Sequence, residues 1–138
     1  MADTQYLNRM LLEAFRVLDA QVDDALEARG AVELSPRHAT AILLIDKKGV
    51  RLTDLAERAG ITKQAMMQVV NDLDGMGLIK RAPDPQDARA KIVSLTPKGQ
   101  KERTEAGKAV AAAEAKIRRK LGPAKYDALK GALSSIVG

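Results

Sequence analysis

The sequence predicts a mostly α-helical chain with a small β-wing, and three observations carry that expectation. Only 2% of residues are aromatic although 46% are apolar, so the core has to be Leu, Ile, Val, Met and Ala, the side chains of packed helices. Apolar residues recur at spacings of three and four along much of the chain. Between Arg51 and Leu95 a short helix, a glycine turn, a second helix and a β-ribbon with a charged tip follow one another. That is the order of a winged helix-turn-helix. A length of 138 residues favours one compact unit with one principal core.

The elements follow in order. Leu7, Leu11, Ala14, Leu18, Val22, Ala25 and Leu26 line one face of a long helix over about residues 4–29, ended by Gly30. A helix of that length needs a partner surface, from the far end of the chain or from a second subunit. Ser35 and Pro36 supply a cap and a first helical residue for a second helix. It is expected to run through Ala41, Ile42, Leu44 and Ile45 to Lys47 or Lys48 and to stop at Gly49. Val50–Leu52 reads as a short strand. Thr53 is expected to cap a helix over about 54–59 closed by Gly60, and Thr62 one over about 63–76 closed by Gly77. Leu78–Ala82 and Lys91–Leu95 are β-like, and the turn formers from Pro83 to Arg89 make the hairpin tip. Thr96-Pro97 repeats the helix-start signal for a long helix to about residue 120. Gly122-Pro123 breaks it and starts a last helix carrying Tyr126, Leu129, Leu133 and Ile136 on one face.

Composition excludes several functions. Without cysteine there is no disulfide, thiolate zinc site or thiol redox switch. One histidine, His38, rules out a multi-histidine metal site within one chain, and no metal or cofactor is expected. There is no apolar run of 18 residues and the N-terminus does not resemble a signal peptide, so a cytoplasmic protein without a membrane partner is expected. No nucleophile–base–acid set or phosphate loop is present, and no enzyme is expected. Net charge is +5, distributed as −4 over residues 1–33, +3 over 34–96 and +6 over 97–138. An acidic first segment and a basic last one can pack together, or can be two solvated helix faces.

The chemistry concentrates in residues 53–91. Ala56 is small enough for a second helix to cross, Gly60 tolerates positive φ, and Ile61 fills the angle between the two helices. Met66, Val69, Val70 and Leu73 form the buried stripe of the second helix. Gln64, Met67, Gln68 and Asn71 form the opposite stripe, with Lys63 beside them. Gln and Asn pair with adenine N6 and N7 in a major groove, and Met lies against a thymine methyl. Thr62 and Lys63 at the helix N-terminus suit phosphate. The same residues also suit a merely solvated helix face. Lys80, Arg81, Arg89 and Lys91 add four cations along the ribbon, and Asp87 is placed to hold Arg89 extended. Arginine is favoured by a narrow minor groove, although a charged hairpin needs no ligand. His38, in the first turn of its helix, reads as a packing or capping residue, with a ligand-pocket role as the alternative.

The run Leu52-Thr53-Asp54-Leu55-Ala56-Glu57 to Gly60-Ile61-Thr62, then Leu73, Gly77-Leu78-Ile79, Asp84-Pro85-Gln86-Asp87-Ala88-Arg89-Ala90, Val93-Ser94-Leu95-Thr96 and Gly99 resembles the multiple antibiotic resistance regulator (MarR) family. The resemblance covers essentially the whole chain and is most specific over residues 52–99. It implies a winged helix-turn-helix flanked by terminal helices that form an obligate homodimer. Residues 1–33 would be an N-terminal dimerisation helix, 34–96 the DNA-binding lobe and 97–138 the C-terminal dimerisation helices. It further implies a transcriptional regulator, usually a repressor, that binds a pseudo-palindromic double-stranded DNA operator and is released by a small organic effector. The DNA-binding residues would be Thr62, Lys63, Gln64, Met67, Gln68, Asn71, Arg89 and Lys91. Two positions depart from the family pattern. Met67-Gln68 stands where Thr-Arg is frequent, and Ala88 replaces the first of two wing arginines. Each change removes a cation from the expected DNA face. The rival reading is a winged-helix protein-interaction module without DNA binding.

Overall fold

The computed structural model describes residues 5–30 and 34–138. Six helices and three strands follow one another: α1 Leu7–Ala28, α2 Pro36–Leu44, β1 Val50–Arg51, α3 Leu52–Ala59, α4 Lys63–Gly75, β2 Ile79–Asp84, β3 Asp87–Leu95, α5 Pro97–Leu121 and α6 Pro123–Val137. The strands form an antiparallel sheet in the order β1-β3-β2. This is the mostly helical winged helix-turn-helix that the sequence predicts. Position 4, the expected start of the first helix, lies outside the described residues. Among those described, no helix is long and apolar enough to cross a membrane.

The core lies where α2, α3, α4 and the sheet meet under α1 and α5. Leu26, Ile42, Ile45, Leu55, Met66, Val69, Val70, Leu73 and Val93 are its largest fully enclosed side chains. The alanine-rich run of α5 has a packing purpose. Ala106, Ala109 and Ala113 are buried, and their small side chains let α1 and α2 lie close against that helix.

Three local expectations need correction. The helix at residues 36–44 ends before Lys47. Arg103 of α5 donates to the carbonyls of Leu43 (3.3 Å) and Ile45 (2.9 Å), and Arg58 of α3 donates to that of Leu44 (3.3 Å). Those side chains take the last orphan carbonyls, and the chain leaves the helix to bury Ile45. Thr53 is not a cap. Strand β1 pairs with β3 and leads directly into α3 at Leu52, whose burial together with Leu55 fixes the helix start. The hairpin is also longer than expected. Both strands reach the tip and leave only Pro85-Gln86 as the turn, because Asp84 accepts from the Gln86 N–H (2.9 Å) and is held by Arg51 Nε (2.8 Å).

Other local signals act as read. Thr62 caps α4 by accepting from the Ala65 N–H (3.0 Å), and Thr96 caps α5 by accepting from the Gly99 N–H (3.0 Å). Gly60 closes α3 at φ 68°, in the left-handed region a turn between crossing helices needs.

Candidate nucleic-acid interface

The face of α4 opposite its buried stripe is open to solvent. Thr62, Lys63, Gln64, Met67, Gln68 and Asn71 are all exposed there, while Met66, Val69, Val70 and Leu73 are in the core. Met67 therefore stays on the polar face, 36% exposed, and does not turn inward. The structure brings these six residues together on one surface.

The ribbon joins that surface through Arg81. From β2 its Nη2 donates to Asn71 Oδ1 (2.8 Å) and Asp74 Oδ2 (2.9 Å), and its Nη1 approaches Met67 Sδ at 3.8 Å. Arg81 thus sets a guanidinium against Met67, Asn71 and Asp74 on the outer face of α4. The sequence placed Arg81 only among the ribbon's four cations, since nothing local shows which helix it crosses.

Arg89 is presented by a break in the ladder. Pro83 pairs with Lys91 and Asp84 with Asp87, so Ala88, Arg89 and Ala90 have no partners on β2. Such a bulge aims side chains away from the sheet. The Arg89 side chain is 96% exposed. Asp87 Oδ1 accepts from the Arg89 N–H (3.0 Å) and lies 3.8 Å from its Nε, an extended support of the kind the sequence suggested. Lys91 is exposed at the base of the bulge. The ribbon is held from behind by Arg51. The Gln86 N–H first, then the Arg51 side chain, outweigh burial and keep the Asp84 carboxyl below the usual carboxylate range.

His38 has a structural role that the sequence showed only in part. Its N–H donates to Ser35 Oγ (3.3 Å), and its Nδ1 accepts from the Ser35 N–H (3.1 Å), a reciprocal cap on α2. Its Nε2 also lies 3.0 Å from Asp72 Oδ2 on α4. Asp72 Oδ1 accepts from Gln68 Nε2 (3.2 Å). The His38 hydrogen bond, ahead of that from Gln68, holds the Asp72 carboxyl below its ordinary range. Gln68 and Asp72 stand one helical turn apart, a spacing visible in the sequence, whereas the link to His38 required the fold.

A second feature lies away from this face. Phe15, Leu18 and Val22 of α1, Pro36 and Thr40 of α2, Val110 and Ile117 of α5, and Leu129 and Leu133 of α6 line an apolar cavity of about 300 Å³ that is open to solvent on one side. Glu114, Tyr126 and Lys130 give it a polar side. Tyr126 Oη donates to Glu114 Oε1 (2.8 Å), and the Lys130 ammonium lies 5.7 Å from the Tyr126 ring centre. Asp19, also on the wall, has its carboxyl pushed up by burial. Among the described residues, no three His, Cys, Asp or Glu side chains lie together as metal ligands would.

A capped helix with an open polar face beside a cationic two-stranded ribbon defines a winged helix-turn-helix protein. The MarR family model matches residues 32–90. Over 66 residues the chain is 33% identical to the transcriptional regulator HosA of Escherichia coli O111:H-, an alignment covering 48% of this chain and 49% of HosA. The chain thus spans about half the length of the HosA relatives it matches. It is 28% identical over 121 residues to the HTH-type transcriptional repressor Rv2887 of Mycobacterium tuberculosis, covering 88% of this chain and 86% of that one. Among solved structures, the transcriptional repressor CouR bound to a 23-mer DNA duplex superposes with a TM-score of 0.84 at 28% identity, covering 98% of this chain and 94% of CouR. Rv2887 in complex with salicylic acid superposes with a TM-score of 0.76 at 26% identity, covering 99% of both chains. The chain thus resembles MarR-family regulators, in sequence over residues 32–90 and in fold over nearly its whole length.

Proposed function

We propose that this chain is a homodimeric, cytoplasmic transcriptional repressor, a regulator with no catalytic role, which reads a pseudo-palindromic DNA operator and releases it on binding a small organic ligand. The observation that carries the reading is the contact of Arg81 with Asn71 and Met67, which joins the open face of α4 and the cationic ribbon into one surface. In this reading residues 34–96 form the DNA-reading lobe. Lys63, Gln64, Met67, Gln68 and Asn71 enter the major groove, Thr62 and Lys91 meet phosphates, and Arg89 enters the flanking minor groove. CouR, similar over the whole chain, was solved on duplex DNA, which supports the same use of this fold.

Residues 1–33 and 97–138 are read as the dimer segments. Every residue from Gln5 to Val17 is exposed, including Tyr6, Leu7, Met10, Leu11, Leu12 and Phe15. Helix α6 buries none of its residues and exposes Leu129, Ile136 and Val137. Such apolar surface favours a second copy of the chain, and two-fold symmetry then sets the half-sites about one helical turn, roughly 10 bp, apart.

The apolar cavity is the proposed effector site. Its size suits a one-ring or two-ring organic compound, with Lys130 and Tyr126 available to a polar group. The salicylic acid complex of Rv2887 supports a ligand of that size. Pro36 lines this cavity and also the groove in which His38 meets Asp72, so the start of α2 lies between the effector site and the reading helix. A ligand that favours one position of α2 shifts the population away from the DNA-competent form.

The test is an anisotropy titration of duplex DNA at several salt concentrations, on a site selected from random sequence and on a scrambled one. Tight binding to the selected site with a steep salt dependence is expected. Equal, salt-insensitive behaviour on both duplexes would overturn DNA reading and leave a protein-interaction module.

A further inference from the structure

We propose that the two amides of the reading face are biased in opposite senses before DNA arrives, so that Gln68 reads adenine and Asn71 reads guanine, with Asp72–His38 and Arg81 as the residues that bias the choice. The proposal rests on the DNA-reading function above and specifies its code.

The directions of the hydrogen bonds decide the amide orientations. The Ser35 N–H donates to His38 Nδ1 (3.1 Å), so that nitrogen is an acceptor and the ring proton of the neutral imidazole sits on Nε2. Nε2–H then donates to Asp72 Oδ2 (3.0 Å). Asp72, as a carboxylate, only accepts, so Gln68 must turn its NH2 toward it, as the 3.2 Å contact from Nε2 to Oδ1 requires. One N–H of Gln68 is thereby used, and its carbonyl oxygen and second N–H remain for a base. A donor–acceptor pair of that kind matches adenine N6 and N7.

Asn71 is set the other way. Arg81 only donates, and its Nη2 lies 2.8 Å from Asn71 Oδ1. The same Nη2 is anchored on Asp74 Oδ2 (2.9 Å), which holds the guanidinium in place. One lone pair of the Asn71 carbonyl is taken, which draws that oxygen toward the guanidinium and leaves the NH2 as the group offered to the groove. Two donors match guanine O6 and N7, the acceptor pair otherwise addressed by Arg or Lys. Residue type alone assigns both Gln68 and Asn71 to adenine, whereas their neighbours separate them. The side chains involved are exposed or half-exposed, so these bonds bias orientation without locking it.

The same logic predicts a switch. In Asp72→Asn the His38 Nε2–H still needs an acceptor, so the new amide turns its oxygen to His38 and its NH2 to Gln68. Gln68 then reverses, accepts with its carbonyl, and shows NH2 to the groove. Its preference moves from adenine to guanine. Arg81→Met releases the Asn71 carbonyl and lets adenine compete at that position. Asn71→Asp keeps the Arg81 contact but offers only acceptors to the base, which favours cytosine N4.

The experiment is selection of bound duplexes from a randomised pool by the full chain, followed by sequencing, for the parent and each variant. Gln68→Ala and Asn71→Ala identify the base positions that each residue governs. The parent should prefer adenine at the first and guanine at the second, each by roughly 5- to 150-fold, the worth of one bidentate base contact. Asp72→Asn should exchange adenine for guanine at the first position and leave the second unchanged. Arg81→Met should relax only the second. Asn71→Asp should move the second position from guanine to cytosine, and the parent's own preference at that position keeps the proposal testable should Arg81→Met fail to fold. Retention of adenine by Asp72→Asn, or adenine at the Asn71 position in the parent, overturns the proposal while DNA reading stands. A parent that enriches no sequence overturns both together.

Discussion

Two glycines on one helix should respond to the same substitution with opposite signs. Gly99, in the first turn of α5, lies against the base of the ribbon. An added Cβ would stand 1.9 Å from the Leu78 carbonyl oxygen and 2.9 Å from its carbon. That carbonyl cannot easily yield, because it accepts from the Thr96 N–H (3.0 Å) and its own side chain is in the core. The first turn of α5 must therefore withdraw by about 1 Å, at the cost of the Leu78–Thr96 bond. Overpacking with loss of one hydrogen bond costs about 3 kcal/mol, and the better helix propensity of alanine returns about 1 kcal/mol. A net loss of about 2 kcal/mol follows. Gly107, two turns further on, has only Leu43 Cδ2 nearby, at 3.8 Å from the added Cβ, an ordinary contact. There Gly→Ala should gain roughly 0.5–1 kcal/mol. At this chain length 1 kcal/mol moves Tm by roughly 3–5 °C, so Gly99→Ala should melt about 6–10 °C lower and Gly107→Ala about 2–5 °C higher. Melts are compared at equal protein concentration, since an oligomer's Tm depends on it. If Gly99→Ala melts within about 2 °C of the parent, the close approach of α5 to Leu78 does not hold the two together.

Three further outcomes are expected. Arg89→Ala should abolish any preference for A-tract over G·C flanks, whereas Lys91→Ala should weaken both equally, as read by titration of the two duplexes at several salt concentrations. The carboxyl of Asp84 is held below its unfolded value of about 3.9, so its contribution is present above that pH and is lost as pH falls through the folded value. Asp84→Asn should flatten the stability–pH curve below about pH 4, and an unchanged curve in acid denaturation would refute the role of the Gln86 and Arg51 contacts. Sedimentation should show a dimer at micromolar concentration, reduced to a smaller species by Leu7→Glu with Leu11→Glu; a parent that sediments as a folded monomer contradicts the reading of α1.

What was legible in the chain was local. Thr62, Gly60 and Thr96 carry their structural roles in their own chemistry, and the spacing of Met66, Val69, Val70 and Leu73 places the inner face of α4 without ambiguity. The outer face follows by subtraction, so the exposed stripe of Gln64, Met67, Gln68 and Asn71 was readable as well. What could not be read depends on partners distant in sequence. The end of α2 is set by Arg103, fifty-eight residues beyond Ile45. The start of α3 is set by a strand pairing with Val93 and Ile92. The tie from His38 to Asp72 and the crossing of Arg81 over α4 are likewise products of packing. They change what Gln68 and Asn71 present, which residue type alone does not reveal.

Helix α2 is bound at its two ends to different neighbours: through His38 to α4, and through the carbonyls of Leu43, Leu44 and Ile45 to α5 and α3. A helix whose free polar groups are taken at both termini resists fraying and moves as a strut. A push at Pro36 would then travel along the rod as a tilt, pivoting on Arg103, and would not dissipate in local melting. In amide hydrogen exchange such a strut keeps its protection when the cavity fills, while change concentrates at its joints. Signal transmission in this small chain would then owe more to stiffness than to flexibility.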